Sequence, residues 1–505
     1  MGHGSHLSPD SSAPVYAHAE QIRKLGVFDE VLEAFWKEEP SLPYALDIVQ
    51  SEEVWVVPVF LAEGYFTRQV VPRELGLDHT LTEFPHRRVH YCPPVGTHPL
   101  MADLILKRAG AASGLSPQGR RGAALLIIGH GTERSATSGD TVYRLVDRLR
   151  EAREFGIVEC GFLDEEPKIA DVLAGLEAED VVLVPFFVAE GWHTATTIPE
   201  ELGLEGPISR RGGRTIWYTP PVGTLPEIAD VIIALTNISA GAAQPGAESE
   251  SGRDDIGNPG FSGAELPLHR FGFPHEEPVR TVDDDRLAFF AWVDSQPRGA
   301  DFLEAHVRRT PAGRYELRHV GDAELDTNLL ERSSEPNRAL EIARFTSSGE
   351  YRPLRTAATL RRGWLLDLER DELWRAISLL YPATIPHWNR RELAESRSRS
   401  YAAWSGRQTG IYSKLRDLSS DLLPAVVQAC CVSGRCLRTR LWRYDATLPL
   451  TEETMRTGNN GVSSSAVIPC PEPCTLFGTV AREILYARTT CESSSDAPLD
   501  PIRTL

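Results

Sequence analysis

The chain of 505 residues says much the same thing twice. Subtracting 127 carries Gly129-His130-Gly131 onto Gly2-His3-Gly4, Phe162 and Pro167 onto Phe35 and Pro40, and Pro185 onto Pro58. The same shift carries Gly191 onto Gly64, Pro199 onto Pro72, and Pro220-Pro221-Val222-Gly223-Thr224 onto Pro93-Pro94-Val95-Gly96-Thr97. One offset without gaps identifies a duplicated domain, so whatever fold one copy adopts must also suit the other. The first copy begins at Gly2, so the strand expected over 123–128 has no counterpart there: either the sheet of that half lacks a strand or the sequence starts inside the true first copy.

The second copy reads as alternating strands and helices. "AALLIIGHG" and "GIVECGF" are short apolar runs ending in glycine or phenylalanine, and "DVVLVPFFV" is rich in β-branched residues, all marks of buried strands. Residues near 138–153 carry apolar positions at helical spacing, and "PKIADVLAGL", "TIPEELGL" and "PEIADVIIAL" follow as helices, with "RTIWYTPPVG" as a fourth strand. The alternation predicts an α/β fold with a parallel sheet covered on both faces, whose ligands bind beyond the carboxyl ends of the strands. His130, the acidic run Asp164-Glu165-Glu166, and His193 all fall at that edge.

Two histidines and a carboxylate from separate loops can converge on one late first-row divalent ion and leave coordination positions open, as a site that hands its metal on requires. The plainer reading of Gly-His-Gly is a tight loop with an exposed polar residue. Comparing the copies favours the metal reading. His3 persists, but Lys37 stands where Asp164 does and Phe66 where His193 does, and neither an ammonium nor a phenyl ring ligates a cation. Only the second copy holds a complete set.

"LLIIGHGT", "GFLDEEPKI", "VPFFVAEGWHTATTIP" and "TPPVGTLPEIADVI" resemble the sirohydrochlorin cobaltochelatase and ferrochelatase family, the class II chelatases, in a long form with two fused copies. The resemblance covers residues 1 to about 237. It implies insertion of a divalent metal, cobalt before iron or nickel, into sirohydrochlorin or a related tetrapyrrole without ATP. The family's catalytic histidines fall on His130 and His193, as metal-delivery ligands and proton acceptors, and its acidic residue falls on Asp164 or Glu165. The family's usual aspartate before Ile-Pro is Thr197 here. A polycarboxylated substrate asks for cations, for which Arg210 and Arg211 are candidates, although solvated loop arginines are more often inert.

Six of the eight cysteines follow residue 429. "ACCVSGRC" and "IPCPEPC" supply Cys431, Cys436, Cys470 and Cys474, two close pairs able to offer four thiolates to an iron–sulfur cluster, with Cys430 as an alternative to Cys431. A structural zinc normally shows tighter two-residue spacings. Multidomain chelatase-like proteins with a 4Fe-4S cluster share this layout, and by that resemblance the cofactor is a 4Fe-4S cluster, either structural or serving an electron-transfer partner. Cys92, Cys160 and Cys491 read as bystanders.

These features predict a first chelatase-like repeat over 1–110 and a second over 122–237. A flexible Gly-, Ser- and acid-rich linker over 238–264 and a small α+β domain over 265–370 follow, and then an iron–sulfur domain over 371–505. Within the small domain, "RLAFFAWVDS" and "GRYELRHVG" read as strands and "EPNRALEIARFTSS" as a helix. A net charge of -18 argues against a nucleic-acid partner. No apolar run is long enough to span a bilayer, and the start lacks a secretory signal, so a cytoplasmic enzyme is expected. The alternative is a tetrapyrrole- or metal-binding redox protein that kept the fold without the catalysis.

Overall fold

The computed structural model describes residues 1–42, 45–49, 51–78, 80–84, 87–131, 139–242, 282–353, 360–382, 399–400, 405–406, 410–419, 422–432, 467–468 and 475–492. The chain divides into two compact units. The first comprises Met1–Trp36 and Pro40–Val279, the second Lys37–Glu39 and Arg280–Leu505.

In the second copy of the first unit, β4 (Ala124–Gly129) lies between β5 (Ile157–Phe162) and β6 (Asp180–Pro185), and β8 (Arg214–Tyr218) continues the sheet, all parallel. An antiparallel strand, β7 (Ile208–Arg211), closes the edge. Every residue of β4 is buried, which is why the run is apolar without alternation: both faces of a central parallel strand are covered. Four side chains, Leu125 to Ile128, are fully buried there, each contributing ~1.5–3 kcal/mol relative to exposure. The covering helix α6 (Asp140–Ala152) buries Val142, Leu145, Val146 and Leu149, one face at three- and four-residue spacing.

The first copy repeats these elements at the same offset. The helix α1 (Ala13–Leu25) matches α6, and β1 (Glu53–Val56), β2 (Leu81–Phe84) and β3 (Arg87–Tyr91) match β6, β7 and β8. Its sheet has the order β1-β3-β2. In the place of β4 and β5, the described residues show a parallel bridge, Gly2 to Phe35, equivalent to the last rung between Gly129 and Phe162.

The copies are interlocked through their last helices. From the first copy, α4 (Leu100–Ser113) packs on β6, β8 and α6 of the second, and α9 (Ile228–Ala242) of the second packs on β3 and α1 of the first. Arg108 of α4 donates to the Pro221 carbonyl (3.1 Å) and to Thr224 Oγ1 (2.8 Å). From α1, the buried His18 places Nε2 2.8 Å from the Gly223 carbonyl. Helix α9 runs to Ala242, five residues into the expected linker, whose remainder lies outside the described residues.

In the second unit, a mixed five-stranded sheet has the order β12 (Glu331–Ser333), β13 (Trp364–Leu368), β11 (Tyr315–His319), β10 (Ala305–Arg309), β9 (Ala300–Phe302). "GRYELRHVG" is a strand and "EPNRALEIARFTSS" contains a helix, Arg338–Arg344, as expected. "RLAFFAWVDS" is not a strand: it belongs to a helix, Val282–Asp294. Alternation would bury Leu287, but Leu287 is exposed while the neighbours Phe289 and Phe290 and then Val293 are buried. Adjacent and three-apart burial is helical spacing, and a short apolar run had concealed it. Farther on, Leu423–Val427 and Thr475–Glu492 form helices around a separate apolar cluster that contains Leu415, Phe477 and Cys430.

Candidate active site

The sheet order places the first strand of the second copy between the second and third, so the chain leaves β4 and β6 in opposite directions and opens a crevice at their carboxyl ends. His130 follows β4, Asp164 follows β5, and His193 lies beyond β6. The glycines flanking His130 answer to geometry. A Cβ at Gly129 would sit 2.7 Å from the Phe162 ring, and Gly131 has φ +71° with Glu165 Cγ 2.5 Å from where its Cβ would be. The tight-loop reading of Gly-His-Gly therefore explains the glycines and leaves the histidine between them unexplained.

The two imidazoles meet. Their ring centroids are 4.9 Å apart at an interplanar angle of 84°. His130 Nδ1 lies 2.9 Å from the Gly131 carbonyl and 3.4 Å from Asp164 Oδ2. A carbonyl can only accept, so Nδ1 carries the proton and Nε2 is left with its lone pair for a cation. The His130 and Asp164 side chains are 48% and 59% exposed, an open edge that a large ligand can reach. Burial, and then the neighbouring His130, hold the His193 pKa below the ordinary imidazole value, against a smaller opposite pull from Asp164. His193 is therefore neutral at neutral pH, the form that binds a metal or accepts a proton.

Asp164 and Glu165 are placed differently. Asp164 faces His130, and its backbone N–H donates to the His130 carbonyl (2.9 Å). Glu165 packs behind the loop against Gly131 and Gly139. Among the described residues no three His, Cys, Asp or Glu side chains form a ready metal cage, so what the fold brings together is a pair of imidazoles with one adjacent carboxylate.

His193 opens a single π-turn, His193–Thr197, running into a short helix, Ile198–Leu202. The Gly191 N–H donates to Thr194 Oγ1 (3.0 Å), whose hydroxyl donates back to the Gly191 carbonyl (3.1 Å), and Tyr218 Oη donates to the Thr194 carbonyl (2.7 Å). The first copy has the same π-turn, Phe66–Val70, with Thr67 on Gly64 and Tyr91 on the Thr67 carbonyl. Sequence reading passed over Thr194 and Tyr218, although their recurrence at the common offset was a usable signal. Scaffold is thus kept in both copies while the chemistry differs. Around Phe66 lie His3, Trp36 and Phe60, with centroids 5.5, 5.8 and 5.1 Å away. The counterpart of Asp164–Glu166, Lys37–Glu39, is part of the second unit, where Glu38 accepts from Tyr351 (3.2 Å).

Arg210 and Arg211 are not at this edge. They pair with Thr215 and Arg214 next to the β7–β8 turn, at the amino-terminal end of β8, opposite the site. Of the cysteines, Cys436, Cys470 and Cys474 lie outside the described residues, as does the Cys431 side chain, whose backbone is in the turn Gln428–Val432. Cys430 is buried in the apolar cluster with its thiol donating to the Val426 carbonyl (2.7 Å). Cys92 and Cys160 are buried and, among the described residues, form no disulfide. No described helix is long and apolar enough to cross a membrane.

The CbiX family pattern matches residues 1–112 and again 124–237, a pattern described as the DR2241 stabilising domain matches 286–392, and a 4Fe-4S iron-sulfur cluster binding domain matches 394–483. A probable sirohydrochlorin cobaltochelatase of Halobacterium salinarum is 44% identical over 257 residues, covering 46% of this chain and 88% of that protein. A sirohydrochlorin cobaltochelatase of Methanopyrus kandleri is 31% identical over 132 residues, covering 22% and 92%. The crystal structure of DR2241 from Deinococcus radiodurans superposes with a TM-score of 0.72 at 28% identity over 96% of this chain and 98% of that one; it is described as a multi-domain protein with structural similarity to chelatases and two additional novel domains. With a doubled α/β fold, paired imidazoles at its sheet edge and this degree of identity, the chain belongs to the CbiX family of sirohydrochlorin cobaltochelatases.

Proposed function

We propose that the protein inserts Co(II) into sirohydrochlorin without ATP, and that the work is done by the second copy alone. The observation that carries this reading is the contact of His130 with His193 beside Asp164, matched in the first copy by His3 against Phe66. Insertion places a divalent ion on four ring nitrogens and releases two pyrrole protons. His193 and His130 Nε2 hold the incoming ion, and as it leaves for the macrocycle the freed imidazoles take up those protons. Asp164 steadies the His130 ring and stabilises its protonated form. Two protein ligands, rather than a closed set, keep the ion exchangeable. Mixing the protein with sirohydrochlorin and Co(II) and following the absorption spectrum tests the reading; an unchanged spectrum, or insertion that depends on added ATP, refutes it.

For the C-terminal region we propose Cys431, Cys436, Cys470 and Cys474 as the ligands of a 4Fe-4S cluster. All four fall within the matched cluster-binding region, and Cys430 is already committed to the apolar core through Val426. The donor set suits the group, since four thiolates are the usual cluster ligands, and when bound the cluster supplies one-electron chemistry or a covalent staple.

A further inference from the structure

Two of the large exposed side chains of the first unit occupy the same position in the two copies. Trp192 is 73% exposed and Tyr65 is 56% exposed. Each stands immediately before the π-turn that carries His193 or Phe66, in the same backbone conformation, φ -51°, ψ -43° and φ -50°, ψ -40°. Among the described residues neither ring makes a hydrogen bond or an aromatic contact. Single exposed apolar residues are ordinary, and one such ring would carry no weight. The comparison between the copies changes that. Around this position the chemistry has been exchanged, with His193 becoming Phe66, Asp164 becoming Lys37 and Ala195 becoming Arg68, yet an exposed aromatic ring persists. Neither ring packs into the core, so folding does not account for it, and an indole does not ligate a cation. What remains is a ligand with a flat apolar face, and the proposed substrate is a planar conjugated macrocycle.

We propose that Trp192 is a substrate-binding residue whose indole stacks on the face of the metal-free tetrapyrrole and holds it over the His130–His193 pair. This rests on the tetrapyrrole reading given above. Consecutive residues in helical conformation have Cα atoms 3.8 Å apart and project about 100° from one another, so the indole flanks His193 without competing for its ligand. Indole offers the largest stacking surface among the side chains, and its N–H can reach a peripheral carboxylate of the macrocycle.

The test uses the full-length protein and two separate titrations, one with metal-free sirohydrochlorin read by its own absorption and one with Co(II) alone. Trp192→Ala is expected to raise the sirohydrochlorin Kd about tenfold, the scale of losing one aromatic stacking partner, and Trp192→Phe by less than about threefold. Co(II) binding is expected to be unchanged in both, because the ligand pair is intact. Unaltered sirohydrochlorin binding by Trp192→Ala, against normal binding by the unsubstituted protein, overturns this inference alone. So does a Trp192→Phe variant as weak as Trp192→Ala, or a parallel loss of Co(II), which would mean a distorted loop. Failure of the unsubstituted protein to bind sirohydrochlorin overturns the tetrapyrrole reading and this inference with it.

Discussion

Replacing His193 by phenylalanine gives the second copy the imidazole–phenyl pair that the first copy already has in His3 and Phe66. The fold accepts that ring, because Phe66 occupies the equivalent place at the start of an identical π-turn held by the same threonine and tyrosine contacts. Loss of activity in His193→Phe is therefore chemical rather than structural. It removes one of two metal ligands, and with it a proton acceptor of a kind that contributes roughly 10²–10⁴ in rate, or about 3–5 kcal/mol of barrier. The matching control is Phe66→Ala. Phe66 touches three rings and is partly buried, so its truncation costs about 1–3 kcal/mol of stability, less than the ~3–5 kcal/mol of a fully buried phenylalanine. Below its melting temperature that variant keeps insertion within about twofold of the unsubstituted rate. The assay follows the absorption of sirohydrochlorin after addition of Co(II), with thermal melting to confirm that each variant is folded. Equal slowing by the two substitutions, or a His193→Phe protein at full rate, refutes the claim that one copy does the chemistry.

Cys431→Ala is expected to lose iron and sulfide on anaerobic purification, whereas Cys430→Ala keeps both and loses about 1–2 kcal/mol from the apolar cluster it helps to fill; iron and sulfide analysis with thermal melting separates them. Arg108→Ala removes two hydrogen bonds from a charged group across the copies, so unfolding stability falls by about 2–4 kcal/mol, whereas Lys107→Ala, which breaks only the exposed pair with Glu227, costs ~0–1 kcal/mol. Burial holds the His18 pKa below its ordinary value, so between that ordinary value and the folded one the unfolded chain binds the extra proton. Stability therefore falls as pH drops below about 6.5, and His18→Gln is expected to flatten that part of the melting curve's pH dependence.

Much of this architecture is readable from the chain because parallel strands buried on both faces have nearly continuous apolar runs, as in Ala124–Gly129 and Asp180–Pro185, and because most elements of the second copy recur in the first. The edge that carries His130, Asp164 and His193 follows from the alternation of strands and helices. What escapes such reading is non-local. Nothing in the local pattern of Leu100–Ser113 says that this helix packs on the other copy's sheet. The strand Ile208–Arg211 is an antiparallel addition; without it Arg210 and Arg211 stand as candidate substrate cations beside the favoured reading of inert loop arginines, and the hairpin carries them to the far end. Asp164 and Glu165 are equivalent in sequence terms, and placement distinguishes them, Asp164 beside His130 and Glu165 packed where a Gly131 Cβ would be. The helix Val282–Asp294 was concealed because a short apolar run fits either period until burial at Phe289, Phe290 and Val293 decides it.

The most direct measurement is the location of bound cobalt, by anomalous diffraction from crystals soaked in Co(II) and by X-ray absorption in solution. The account predicts one ion between His130 and His193, with two imidazole nitrogens among its ligands and none bound at His3. Cobalt held at His3 instead, or absent from the His130–His193 pair at saturating concentration, contradicts it.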